Sequence, residues 1–227
     1  MGEFLNTNYF GIVLCIVTYL IGVWVQKKTK WLLANPLLIA VLLSVSVILL
    51  LDIPYEWFAK GGSIVQMMLG PVTALLALGI YNQRTVLKEY FIPVLAGCLA
   101  GSVTSMVSVL GLCHVFGVDK AVTASLMPKS CTTPIALSVA ESHGGLAAIA
   151  AFAVMIAGVT GVVCAPMFSK WFGIKDPVAQ GLATGACSHA LGTTRAREMG
   201  EIQGAVSSIA IGVCGLISVI LSLFVRL

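Results

Sequence analysis

Residues 124–140 read ASLMPKSCTTPIALSVA, and residues 179–196 read AQGLATGACSHALGTTRA. Each stretch lies where its apolar neighbours predict a membrane-spanning helix, and each is too polar to face lipid. In the first, Pro128 and Pro134 are six residues apart, which limits regular helix between them and frees backbone N–H and C=O groups. Hydrocarbon offers no water to satisfy those groups, so the break must be buried in protein or line a cavity. Lys129 sits inside it, and a lysine at the centre of a membrane helix costs about 2.5 kcal/mol or more unless it reaches water or an anion. The hydroxyls of Ser130, Thr132 and Thr133 could repair the broken backbone or bind a ligand. A positive side chain beside freed amides suits a carboxylate or phosphate. The plainer alternative is a lysine that snorkels to an interface beside a hydroxyl-repaired kink.

The remaining sequence supports a membrane setting. Of 227 residues, 59% are hydrophobic and 10% charged, with a mean hydropathy of +1.02. A soluble domain carries about a quarter charged residues, so a soluble enzyme is excluded on composition. The net charge of +4 arises from 13 Lys and Arg spread through short loops, which orient a chain in a bilayer and give no nucleic-acid footprint. Seven cysteines without a CxxC pair read as small apolar fillers. No metal-ligand spacing, phosphate-binding GxxxxGK[ST] loop or GxSxG elbow occurs, so no cofactor, metal or enzymatic role is expected. The N-terminus lacks a basic region and a small-residue cleavage site, and its first apolar run reads as a retained helix.

Eight segments are expected in one membrane domain over residues 1–227, with approximate halves 1–117 and 118–227. They run over about 9–25, 35–51, 63–81, 91–116, 121–140, 146–168, 179–196 and 205–224. The cluster Lys27, Lys28 and Lys30 assigns the first loop to the cytoplasm. Asn35-Pro36 opens the second segment, and Gly70-Pro71 falls near the middle of the third. Gly97 and Gly101 give a GxxxG spacing for close helix packing. If the fifth and seventh segments cross fully, Lys170 and Lys175 fall on the opposite side from Arg195 and Arg197. If both are broken or re-entrant, all four are cytoplasmic, which the positive-inside rule favours. Echoes between Asn35-Pro36 and Met127-Pro128, and between Gly61-Gly62 and Gly144-Gly145, suggest an inverted repeat.

In the seventh segment Ser188, His189, Gly192, Thr193 and Arg195 are candidates for the same site. His189, amid small residues, could hydrogen-bond a substrate, exchange a proton, or serve as a structural hydrogen-bond partner. Arg195 could face a ligand or mark the helix end. Glu141 could pair with Lys129 if the break brings them together.

PKSCTTPIA, residues 128–136, and GACSHALGTTR, residues 185–195, resemble two motifs of the LrgB/CidB family of bacterial membrane proteins, including its YohK branch. Asn35-Pro36-Leu37-Leu38 and Leu69-Gly70-Pro71 resemble two more, although the run ending in Pro-Leu-Tyr is replaced by Leu78-Gly79-Ile80-Tyr81. The resemblance implies an all-α polytopic membrane fold, like that of cation/proton antiporters or bile-acid-type transporters, built from inverted repeats with broken helices. It also implies two functions of different kinds. One is secondary transport of small monocarboxylates of the pyruvate, lactate, glycolate or glycerate type. The other is antiholin-like modulation of murein hydrolase activity and lysis, with an LrgA/CidA-type membrane partner. For transport, the expected substrate residues are Asn35, Pro36, Gly70, Pro71, Pro128, Lys129, Ser130, Thr132, Thr133, Pro134, Ser188, His189, Gly192, Thr193 and Arg195. A multi-pass bacterial plasma-membrane location and a homodimer are expected with either.

Overall fold

The computed structural model describes residues 6–29 and 36–225, and all regular structure among them is helical. In chain order the helices are α1 (Asn8–Thr29), α2 (Pro36–Leu50), α3 (Tyr55–Met67), α4 (Leu69–Asn82), α5 (Arg84–Glu89) and α6 (Phe91–Val115). They continue with α7 (Lys120–Leu126), α8 (Thr133–Ser142), α9 (Ala147–Trp171), α10 (Pro177–Met199) and α11 (Glu201–Ser222). Among the described residues α1, α6, α9 and α11 are long and apolar enough to cross a membrane. The chain is a membrane protein, and four of the eight expected segments (the first, fourth, sixth and eighth) are helices of this kind among the described residues. Segment two is α2, whose 15 residues reach roughly 22 Å at 1.5 Å per residue, short of a ~30 Å hydrocarbon core. Segment three divides at Met68 into α3 and α4. Pro71 therefore lies in the first turn of α4, not mid-helix as expected, and its missing N–H removes no helical bond there. Asn35 and Lys30 lie outside the described residues.

Two compact units divide between Thr73 and Ala74. In the first, α1 packs on α2 and α3. Phe10, Leu14 and Ile53 form its core with Trp57 and Phe58 against them. Gly11 meets Gly61 so closely that a Cβ at Gly11 would stand 2.9 Å from the Gly61 Cα. Thr18 donates back to the Leu14 carbonyl at 2.7 Å and shares a hydrogen bond with Ser44, which keeps its hydroxyl satisfied in an apolar setting.

The second unit is built on α6, α9 and α11, with expected segments five and seven folded between them. The path of α10 follows from its contacts. Gly181 packs on Gln203 and Gly185 on Ser207, so the chain up to Ser188 runs parallel to α11. Thr193 then bonds Ser207 at 2.8 Å and Arg197 packs on Gly204, so the chain after His189 runs antiparallel to α11. A Cβ on Gly192 would lie 2.6 Å from the Thr184 carbonyl oxygen, impossible along one straight helix. Thus α10 is a hairpin of two helical arms, 177–188 and 190–199, reversing at His189 with φ 45° and ψ −133°.

The α7–α8 pair makes the matching hairpin from the other end. Ser125 of α7 receives the Leu146 N–H at 2.7 Å, so the chain after α8 has returned beside α7. Ile135 near the start of α8 packs at Gly215, whereas His143 just past its end bonds the Ser222 carbonyl at 2.9 Å. Lys120 and Thr123 line a cavity with His114 and Val225 at that same end. Because α10 returns, Arg197 stands at the end of the unit where α10 begins, and it lines a depression with Gln83 and Glu201. Lys170, Lys175, Arg195 and Arg197 therefore share one end, as the broken-segment alternative required.

The two glycines of the GxxxG spacing are used within the chain: Gly97 faces Leu182 and Gly101 faces Ala186. Their tolerance should differ from that of the glycines under the hairpin. A Cβ at Gly101 meets Ala186 at 3.6 Å, whereas one at Gly185 meets the backbone oxygen of Ser207 at 2.5 Å. Gly101→Ala should hold or raise the thermal midpoint, since alanine is favoured in a helix by about 1 kcal/mol. Gly185→Ala should lower it, overpacking costing about 1–3 kcal/mol. Thermal unfolding of both variants in detergent measures the contrast.

Candidate functional site

The hairpins enter the second unit from opposite ends, and their tips meet. Nε2 of His189 lies 3.0 Å from the backbone carbonyl oxygen of Lys129, sixty positions away in sequence. A carbonyl can only accept, so Nε2 carries the proton, and in a neutral ring Nδ1 is then the bare nitrogen. Nδ1 points toward Gly158 of α9. The level is mid-bundle: Ser105, which contacts Lys129, is in the middle of the 25-residue α6, and Gly158 and Gly161 are near the middle of α9.

Each tip is a helix end exposed by the break. Residues 127–132 form the turn between α7 and α8. Helix α8 starts with Thr132 as N-cap, but the Thr132 hydroxyl makes no capping bond and has no partner, although it is buried. Pro134 in its first turn has no N–H to lose. On the other tip Ser188 is fully buried with its hydroxyl also unpartnered. It fits because residue 161 is glycine; any Cβ there would overlap the Ser188 side chain. Thr193 stabilises the second arm by donating to the His189 carbonyl or sharing with Ser207.

The ammonium of Lys129 donates to Ser105 Oγ at 3.2 Å, and Ser105 shares a second hydrogen bond with Ser130. Among the described residues the ion pair is Arg195 with Glu198 at 2.6 Å, so Lys129 has no carboxylate and Glu141 does not reach it. Glu141 is exposed near the far end of α8. The starts of α8 and of the arm 190–199 add their positive ends to the same region as the lysine. The tips thus combine one unpaired cation, two orphaned hydroxyls and two helix N-termini, an arrangement that can hold a small anion.

The structure gathers Pro128, Lys129, Ser130, Thr132, Thr133, Pro134, Ser188, His189, Gly192 and Thr193 at or beside the tips. Arg195 is on the returning arm, turned to Glu198. Pro36, Gly70 and Pro71 belong to the first compact unit or its edge; Pro36 packs against Gly22, and Gly70 faces open space. Sequence reasoning did not single out Ser105 or Ser207, and it gave Gly161 a packing role in the sixth segment without connecting it to the site. Ser105 carries a weak signal, a serine between Ser102 and Ser108 in a helix that is apolar apart from these serines, Thr104 and His114. No group of three or more His, Cys, Asp or Glu side chains among the described residues is placed to hold a metal.

The LrgB-like family model matches residues 15–227. The chain belongs to the LrgB-like family. Relatives in Bacillus mycoides (strain KBAB4), Bacillus cereus (strain B4264) and Bacillus anthracis (strain CDC 684 / NRRL 3495) are each named antiholin-like protein LrgB. Each is 37% identical over 215 residues, covering 94% of both chains. No solved structure matches.

The reversal at His189 sets a test for this LrgB-like chain. Its φ of 45° is in the region that favours glycine, and its side chain satisfies a carbonyl inside the bundle. His189→Ala keeps the backbone strain and orphans the carbonyl, a loss of about 1–3 kcal/mol. His189→Gly loses the same bond but relieves a strain of order 1–3 kcal/mol. Thermal midpoints should therefore place His189→Ala below both wild type and His189→Gly, the latter two lying close together.

Proposed function

We propose that this LrgB-like protein is a non-enzymatic, antiholin-like component of the bacterial plasma membrane. In this reading it modulates murein hydrolase activity and lysis together with an LrgA/CidA-type membrane partner, and it forms a homodimer. The observation that carries it is near-full-length similarity to proteins named antiholin-like. That similarity favours this function over monocarboxylate transport, the first of the two functions expected from the sequence resemblance. A multi-pass orientation is included, with Arg84, Lys88, Lys170, Lys175, Arg195 and Arg197 on the cytoplasmic side.

One observation supports a second reading, carriage of a small carboxylate such as pyruvate, lactate, glycolate or glycerate. Opposed hairpins meeting at an uncompensated Lys129 bring polar backbone and a cation to mid-bundle, the kind of place where secondary transporters bind their cargo. An inverted repeat would be in keeping with helix α6 followed by one hairpin and α9 followed by another from the opposite end.

The two separate experimentally. In a strain lacking the gene, restored expression should slow autolysis and lower murein hydrolase activity on zymograms. The double variant Lys129→Ala, His189→Ala should retain at least half of that effect if surface assembly carries function. Proteoliposomes given labelled pyruvate, lactate, glycolate or glycerate should then show no uptake above empty vesicles. Unaltered autolysis on restored expression rejects the antiholin-like reading. Uptake that is lost on Lys129→Ala establishes the transport reading.

A further inference from the structure

Most of the outer surface of the three long helices of the second unit suits lipid. Exposed positions there include Val103 and Val107 of α6, Phe152 and Ile156 of α9, and Leu216 and Ile220 of α11. One face differs. Where α6 meets the first arm of α10, the exposed positions are Gly101, Thr104 and Ser108 of α6 with Ala183 and Cys187 of α10. These side chains are small, and three of the five carry a hydroxyl or thiol.

Lys129 lies beside this face, because its ammonium donates to Ser105, the neighbour of Thr104 on α6. Lys129 and its partners Ser105 and Ser130 are all partly exposed. Cys187 lies two positions before His189, whose ring bonds the Lys129 carbonyl at 3.0 Å, so it stands next to the tip that holds the ammonium. A cation without a carboxylate, held at mid-bundle by one serine, is stable only where water or an anion reaches it. Small residues leave room for both. The orphaned, buried hydroxyls of Thr132 and Ser188 add acceptors and donors on the inner side of the same tips.

We infer that the face formed by α6 and the first arm of α10 is a water-filled approach that draws small anions to Lys129, and that Cys187 lines it. The inference rests on the reading of the hairpin tips as an anion site and adds the route by which the anion arrives. It requires a positive potential at Cys187 that originates in Lys129. A cleft lined by one sign of charge and walled by protein raises the local concentration of an opposite charge by tenfold or more.

Cys187 is a built-in reporter. Of the other described cysteines, Cys98, Cys113, Cys131 and Cys214 are buried, while Cys15 and Cys164 are half-buried. Two membrane-impermeant methanethiosulfonates, one carrying ethylsulfonate and one ethyltrimethylammonium, are added to both faces of proteoliposomes holding the full chain. Each rate at Cys187, followed by peptide mass spectrometry, is divided by that reagent's rate with free cysteine.

Both reagents should label Cys187, with the anionic one favoured about tenfold. Lys129→Gln should abolish the preference and Lys129→Arg should keep it. In wild type, raising the salt from about 0.01 M to 1 M should shrink the preference, because the screening length falls from about 30 Å to 3 Å. That arm needs no variant to fold. Labelling by lipophilic N-ethylmaleimide but by neither charged reagent overturns the inference. So does an anion preference that survives Lys129→Gln, or the absence of any preference in wild type at low salt. Absent carboxylate uptake together with a Lys129-dependent preference rejects transport alone, whereas uptake without labelling rejects this route alone.

Discussion

The hydrogen bond from the His189 ring to the Lys129 carbonyl joins two hairpins that enter from opposite ends of the second unit. The need for it comes from the bilayer. Every backbone group freed by a break must find a partner inside the protein, and an unsatisfied one costs several kcal/mol in hydrocarbon. Breaking one helix alone would leave its carbonyls stranded. Breaking two, tip to tip, lets the imidazole of one satisfy the backbone of the other.

The surrounding packing serves that junction. Helix α11 is the backing plate, with the arms of α10 running up and down its surface through Gly181, Gly185 and Ser207. Helix α9 supplies the concavity at Gly158 and Gly161 into which His189 and Ser188 fit. Helix α6 supplies Ser105, which holds the Lys129 ammonium. An adverse φ at His189 persists because helices α9 and α11 leave the chain no other path. Strain and orphaned hydroxyls thus concentrate at one place, while the outer helix faces remain ordinary lipid-facing surface.

For an LrgB-like protein, this geometry bears on both kinds of function. An antiholin-like role depends on the surfaces the bundle presents to partner proteins, and the lipid-type faces of α6, α9 and α11 are available for it. An anion site depends on the junction and on the small-residue face beside it. The two readings call on different parts of the fold because the polar residues are gathered inward and toward one face.

The sequence alone determined the membrane class, since 59% hydrophobic residues leave no soluble alternative. It also located both breaks: Pro128 and Pro134 forbid a regular helix between them, and the Gly- and Thr-rich run around His189 could not face lipid. Those are local properties, written in residue type and spacing. It misjudged Gly70-Pro71, because a helix boundary at Met68 moves the proline into a first turn, and it linked Glu141 to Lys129, which a return along α8 keeps apart. Whether the polar segments cross or turn back was open, because hydropathy is the same for either path. Tertiary structure decided it through contacts between residues distant in sequence, Gly185 and Thr193 both on Ser207, and His189 on Lys129. Pairings of that kind depend on how helices stack, which no local pattern encodes.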